Sequence, residues 1–254
     1  MMREIKGMSV LVTGGGSGIG EGVARLFAAR GAKVTITGRR RDKIQAVADS
    51  IGPACRAVVG DVTVPADRQA MLDTAVAHGG KLDVLVNNAA NMYRQAVGEY
   101  TEEFLKEAFN TNVVSGMMLS SMAVKLLEST QGAIVFLGSI HNRRAYPGAS
   151  PYATTKAAVE GLTRVMAAEL GRRQIRVCCV LPGAVSTEIN LRAGLFTPEQ
   201  AAARYAAIAP DHALGRIGST LDVAEAIEYL VRAEWVTGVA LEVDGGLGLG
   251  VSSF

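Results

Sequence analysis

The chain has 254 residues, 49% of them hydrophobic, which suits one α/β domain with a large core. Its 26 basic and 24 acidic residues leave a net charge of +2 and are spread along the chain, with Arg39-Arg40-Arg41 the dense cluster. No basic stripe interleaved with aromatics points to nucleic acid, and no apolar run approaches the ~20 residues that span a membrane.

Taken in chain order, short apolar runs predict strands at Ser9–Thr13, Lys33–Thr37, Arg56–Gly60, Val84–Asn87, Ala133–Leu137, Arg176–Leu181 and Ala240–Val243. Amphipathic segments between them predict helices at Gly18–Ala29, Asp42–Ile51, Ala66–Ala77, Glu102–Leu127, Pro151–Leu170 and Leu221–Val231. The first apolar stretch is too short for a signal sequence and runs straight into a glycine loop, so it reads as a strand. Near-continuous apolar strands alternating with helices indicate a parallel sheet covered on both faces. Right-handed crossovers then give a single Rossmann-like, doubly wound domain over residues 1–254, with seven parallel strands. Ser150-Pro151 reads as a helix start with Ser150 as N-cap and Pro151 at the first helical position. The stretch Glu188–Gly215 is too long for an ordinary connection and reads as a substrate lid, its Ile189, Leu191, Leu195 and Phe196 facing substrate or core. Cys178 and Cys179 are neighbours on one strand and point to opposite faces, so with Cys55 they read as reduced core thiols, which fits the cytoplasm.

Val10–Gly20 reads as strand, glycine loop and helix, a cradle for a pyrophosphate, although Gly14-x-x-x-Gly18-x-Gly20 departs from the strict dinucleotide spacing. The second strand ends in Thr37-Gly38-Arg39-Arg40-Arg41, with no acid to hold a ribose 2′-hydroxyl. A guanidinium fork there suits a 2′-phosphate, so NADP(H) is preferred and NAD(H) remains possible. Farther on, Ser139 follows a strand, Tyr152 comes thirteen residues later, and Lys156 lies four beyond that, on the same helix face. A phenol titrates near 10 and needs help to act as a base. An ammonium beside it favours the phenolate, and a neighbouring hydroxyl can hold a carbonyl or alcohol oxygen.

Together these segments resemble the short-chain dehydrogenase/reductase family in its form of about 250 residues, over nearly the whole chain. The matching motifs are Thr13–Gly20, Gly60-Asp61-Val62, Asn87-Asn88-Ala89-Ala90 (Ala90 replacing the usual glycine), Asn110–Val113, Pro182–Thr187 and the C-terminal VTGVALEVDGG. The resemblance implies an oxidoreductase interconverting a secondary alcohol and a ketone with NAD(P)(H). It implies a catalytic tetrad. Tyr152 is the acid/base. Lys156 lowers its pKa and binds the nicotinamide ribose. Ser139 orients the substrate oxygen, and Asn112 holds a water in a proton relay. It implies cofactor contacts by Gly14, Gly16, Ser17, Gly18 and Ile19 in the loop, and by Arg39, Arg40, Asp61 and Val62 at the adenosine end. Asn88, Ala89, Ala90, Pro182, Gly183, Val185 and Thr187 complete them, with Tyr152 and Lys156. Asn87 reads as a brace for the sheet and Gly245-Gly246 as a turn or a subunit contact. No metal is expected. Family members are usually tetramers built through the helices at 102–127 and 151–170, so a homotetramer is expected.

Ser139, Tyr152, His141 and Gly183 are the expected substrate contacts. Arg143 and Arg144 either meet an anionic or hydroxyl-rich substrate or lie on the surface. 3-Oxoacyl-carrier-protein reduction is the leading alternative, though the turn Glu128–Gly132 carries no base for an acidic carrier. Enoyl reductases of similar sequence space Tyr and Lys by seven, not four. A non-catalytic nicotinamide-binding sensor would usually lack Tyr or Lys, and this chain has both.

Overall fold

The computed structural model describes residues 2–250. Seven strands form one sheet: β1 (Ser9–Thr13), β2 (Lys33–Gly38), β3 (Cys55–Val59), β4 (Val84–Asn87), β5 (Ala133–Leu137), β6 (Arg176–Pro182) and β7 (Ala240–Val243). Their order is β3-β2-β1-β4-β5-β6-β7, and every neighbouring pair is parallel. Every residue of β1, β5 and β6 is buried, which explains their unbroken apolar sequences. Successive residues serve opposite faces. Val10, Val12 and Cys178 join one core, whereas Leu11 and Cys179 join the other. All three cysteines are buried and unpaired.

The first core is closed by α1 (Gly18–Ala29), α2 (Arg41–Ile51) and α9 (Thr220–Arg232). The second is closed by α3 (Pro65–Gly79), α5 (Ser115–Glu128) and α6 (Ser150–Leu170). This placement corrects the expectation of uniform handedness. The β6–α9–β7 crossover advances along the sheet in the same direction as β4–α5–β5, yet its helix lies on the opposite face. It therefore has the opposite hand to the other crossovers. The cause is packing: α9 lies against α1 and buries Val223, Ala224 and Ile227 beside Val23, Ala24 and Phe27. The long 188–215 excursion gives the chain enough length to reach that side.

Two local expectations are also corrected. The predicted helix 102–127 is α4 (Glu102–Phe109) and α5 separated by one π turn, Asn110–Val114. Ser150 is not the N-cap of α6. Ala149 is, with no side-chain cap, so Ser150 is the first helical residue and Pro151 the second. A turn bond from the Ala149 N–H to the Tyr146 carbonyl (3.0 Å) brings the chain into the helix one residue early, and the Ser150 hydroxyl meets the Tyr100 hydroxyl instead.

The 188–215 excursion holds α7 (Ile189–Arg192) and α8 (Pro198–Ile208). A capping box starts α8: Thr197 Oγ1 accepts from the Gln200 N–H, and the Gln200 side chain accepts from the Thr197 N–H. Leu191 faces a cleft beside Ser17 and Gly18 rather than the reacting groups, and Phe196 carries the Arg204 guanidinium 5.4 Å above its ring. The strands point their C-terminal ends to one rim, where the glycine loop, the π turn and this excursion converge.

Candidate active site

The glycine loop is built for close approach. Gly14 and Gly18 have φ of +68° and +58°, which side-chain-bearing residues rarely adopt. A Cβ at Gly20 would run into the Gly14 carbonyl oxygen. The loop is pinned from behind: Asn88 Nδ2 donates to the Thr13 and Gly14 carbonyls at 2.8 and 3.2 Å. Thr13 Oγ1 accepts the N–H groups of Asn88 and Ala89 at 3.0 Å. The first N–H groups of α1 have no intrahelical acceptor and lie beside this loop, so the residues fit a pyrophosphate. The Asn88 amide is occupied by the loop, which makes its side chain a support for the cradle.

One groove at the ends of β2 and β3 is lined by Gly14, Arg39, Asp61, Val62, Ala89 and Ala90. Arg39 pairs loosely with Asp61 at 3.7 Å and is largely exposed. Arg40 is committed elsewhere, to Glu188 and Ser17 Oγ, both at 3.2 Å. Its place in this groove is taken by Arg192 of α7, a residue the sequence did not single out. Arg192 is held below the ordinary guanidinium range by burial, then by the Arg40 charge. Gly16 packs against Ile44, and Ser17 and Gly18 line the cleft next to Thr187.

The sheet rim brings the four tetrad residues together. Ser139 ends the chain leaving β5, Tyr152 and Lys156 face it from α6, and Asn112 comes from the π turn. Ser139 Oγ and His141 Nδ1 share a hydrogen bond at 3.0 Å, and the His141 N–H donates to Ser139 Oγ at 3.3 Å. Asn112 Oδ1 accepts from the Asn91 N–H at 2.9 Å, while its Nδ2 donates to the Asn91 carbonyl (3.0 Å) and to Thr155 Oγ1 (3.1 Å). Asn112 and Lys156 line one small cavity behind the main cleft. Asn87 braces β4 to α5, its Nδ2 donating to Ser120 Oγ at 2.9 Å.

Burial raises the Tyr152 phenol, against the opposing pull of the Ser139 hydroxyl, to about 12. Burial also lowers Lys156 to about 8. Among the chain's own groups, burial and not the Lys156 ammonium sets the direction of the phenol's shift. Lys156 Nζ sits 5.6 Å from the phenol ring centroid and donates to the Leu137 carbonyl at 2.7 Å, so desolvation outweighs its pull. His141 is driven down to about 4 by burial, then by Arg94, Arg204 and Lys156, so it is neutral at pH 7. Its ring stands edge-on to Tyr152 at 5.1 Å.

The main cleft is lined by Ser139, Tyr152 and Lys156 at its floor and by His141, Tyr146 and Ile189 on its walls. Ile19, Ala90, Pro182, Gly183, Val185 and Thr187 also border it. At Gly183 a Cβ would lie 2.7 Å from the Asp244 Cα, so this glycine also lets β6 meet the turn after β7. That turn contains Gly245 and Gly246, both at positive φ, as expected. Arg143 and Arg144 do not border the cleft. Arg143 is paired with Glu160 and Glu242 at 2.8 Å, and Arg144 with Asp211 at 3.0 Å. The arginines that do border it are Arg94 and Arg204. One signal for Arg94 was its place in the connection after β4, at the rim where ligands bind.

A family model described as enoyl-(acyl carrier protein) reductase matches residues 14–248. The 3-oxoacyl-[acyl-carrier-protein] reductase FabG of Escherichia coli (strain K12) is 31% identical over 247 residues, 96% of this chain and 98% of that one. The crystal structure of a 3-ketoacyl-(acyl-carrier-protein) reductase from Brucella melitensis complexed with NADH superposes with a TM-score of 0.87 at 30% identity. It covers 96% of this chain and 99% of the other. A short-chain dehydrogenase/reductase of unknown function from Caenorhabditis elegans, solved with cofactor, gives a TM-score of 0.92 at 27% identity, covering 98% of each chain.

Proposed function

Because the chain belongs to the short-chain dehydrogenase/reductase family and is an oxidoreductase of alcohols and ketones, we propose that Tyr152 moves the proton and NADP(H) the hydride. The observation that carries this reading is the convergence of Ser139, Tyr152 and Lys156 on the floor of one cleft that the glycine loop also borders. The cofactor, when bound, supplies or accepts a hydride at nicotinamide C4. Ser139 holds the substrate oxygen and stabilises negative charge developing there. Tyr152 gives that oxygen a proton in reduction and removes one in oxidation. Lys156 binds the nicotinamide ribose and keeps positive charge next to the phenol. Asn112 fixes the Asn91 backbone and carries the proton path on from Lys156. Residues 188–215 cover the cleft as a lid. The Tyr-Lys spacing of four favours carbonyl over enoyl reduction.

The preference for NADP(H) rests on Arg39 and Arg192, which border one groove with no acidic residue positioned at the end of β2. NADPH is expected to be the better substrate. Arg39→Ala or Arg192→Ala should raise its KM by ~10- to 100-fold, as expected for loss of a charge-assisted contact, and leave that for NADH unchanged. Equal KM values for NADPH and NADH in the parent protein would overturn this preference.

A second reading, 3-oxoacyl-carrier-protein reduction, is favoured by the FabG relative. The turn Glu128–Gly132 has no base of its own, but Arg3 donates to the Thr130 and Gln131 carbonyls and Arg173 pairs with Glu128. These contacts weaken the sequence-based case against an acidic carrier.

Assembly as a homotetramer is supported by exposed apolar residues on the outer faces near the π turn, α5 and α6. Val114, Met117, Met118 and Val165 are 42 to 57% exposed. Sedimentation at micromolar concentration should give a single species of four chains, and a monomer would remove the proposal. Three buried, unpaired thiols support a reducing compartment such as the cytoplasm. Among the described residues, no helix is long and apolar enough to cross a membrane.

A further inference from the structure

We propose that the substrate carries an anionic oxygen group close to its reacting carbon, and that Arg94 and Arg204 bind that group. This names the substrate class of the site and rests on the oxidoreductase reading above. Both guanidinium-bearing residues border the main cleft, one from the connection after β4 and the other from α8. Among the described residues, no aspartate or glutamate lines the cleft. Among the described residues, neither arginine forms an ion pair, whereas Arg143 and Arg144 nearby are both paired. Arg94 Nη2 donates to the Pro147 carbonyl at 2.6 Å, and Arg204 rests on the Phe196 ring.

The two carboxylates whose charges act on Tyr146 in the cleft wall are already engaged. Asp211 pairs with Arg144, and Asp244 accepts the N–H groups of Gly246 and Gly248. The two arginines are also close enough to destabilise each other: Arg94 is held below its ordinary range by burial, then by the Arg204 charge. Two like charges left facing one cleft, half-buried and without a counter-charge, are an unfavourable arrangement that a bound anion relieves. Guanidinium groups suit carboxylate and phosphate because they present paired donors.

His141 borders the same cleft as both arginines, both of whose charges act on it, and its ring centroid is 5.1 Å from that of Tyr152. An anion held by Arg94 and Arg204 would share one cleft with a carbonyl held by Ser139 and Tyr152. Short oxo acids and phosphorylated hydroxyketones share this chemistry.

Acetoacetate, methyl acetoacetate, S-acetoacetyl-N-acetylcysteamine, dihydroxyacetone phosphate and dihydroxyacetone separate the sources. With saturating NADPH, acetoacetate or dihydroxyacetone phosphate should show a kcat/KM ~10- to 100-fold above its neutral counterpart, the span expected for a charged hydrogen bond. Preference for the first assigns a carboxylate, and preference for the second a phosphate. Arg94→Met and Arg204→Met should each raise KM for the anionic substrate far more than for its neutral partner, so that the advantage is lost. Equal or better turnover of the neutral ketones or thioester, unmoved by either substitution, would overturn the proposal. Calorimetric titration of acetoacetate and of dihydroxyacetone phosphate into the NADP-saturated protein tests it without turnover. Binding of one anion that is weakened in both variants supports the anion site even if no ketone is reduced, in which case only the oxidoreductase reading of the site fails. No binding of either anion overturns it.

Discussion

Replacing Tyr152 with phenylalanine should lower kcat in both directions by ~10²- to 10⁴-fold, the span that a positioned proton donor contributes, with cofactor affinity unchanged. The ring stays and only the hydroxyl is lost, so the cleft keeps its shape. The sign of the pH dependence follows from the two shifted groups. Reduction needs the phenol protonated, and with the phenol near 12 it is protonated throughout the neutral range. Lys156, near 8, loses its charge first as pH rises. Ketone reduction should therefore hold below about pH 8 and decline above it as the ammonium disappears. Alcohol oxidation needs the phenolate and should climb with pH on the alkaline side. Steady-state kinetics of both directions across roughly pH 6 to 10 check this, and a Tyr152→Phe enzyme with most of its turnover intact would remove Tyr152 from the chemistry.

Lys156→Met should abolish most activity and at the same time stabilise the fold at pH 7. The native state holds this ammonium near 8, against 10.5 for the ordinary group, so keeping it charged and buried costs about 3 kcal/mol. The sign is that of a depressed base. The unfolded chain binds the proton more tightly, so native stability rises as pH goes from about 8 to 10.5. Methionine fills a similar volume without charge, and the lost bond to the Leu137 carbonyl takes back about 1 kcal/mol. The variant should melt a few degrees higher at neutral pH, roughly 2–4 °C for each kcal/mol gained in a chain of this size. That gap should close as pH rises toward 10.5. A variant that melts lower than the parent at pH 7 would show that Lys156 stabilises the fold instead.

The sheet was legible because its central strands are buried on both faces and so read as unbroken apolar runs. The residues proposed to react were legible because a strand end and a helix face fix Ser139, Tyr152 and Lys156 whatever surrounds them. Residues supplied by connections were not. Arg94, Arg192 and Arg204 reach the clefts from three loops or short helices, and no period in the sequence ties them together. Arg143 and Arg144 misled for the same reason. Their partners Glu160, Glu242 and Asp211 lie 17 to 99 residues away in sequence. The π turn was hidden inside a continuous helical pattern, because helical backbone runs into it from α4 and out of it into α5.

The docking of α9 on α1 ties the beginning of the chain to its end. During synthesis α1 leaves the ribosome early, and a long stretch of translation separates it from α9. At about 5–20 residues per second, the stripe Val23, Ala24 and Phe27 waits on the order of ten seconds or more for its cover. A nascent chain in that interval presents an apolar helix face that a chaperone would recognise. Truncations ending before Thr220 keep every tetrad residue and the whole glycine loop, yet leave that face permanently bare. The dinucleotide-binding half is thus not a separable module, and fragments cut there should aggregate rather than bind.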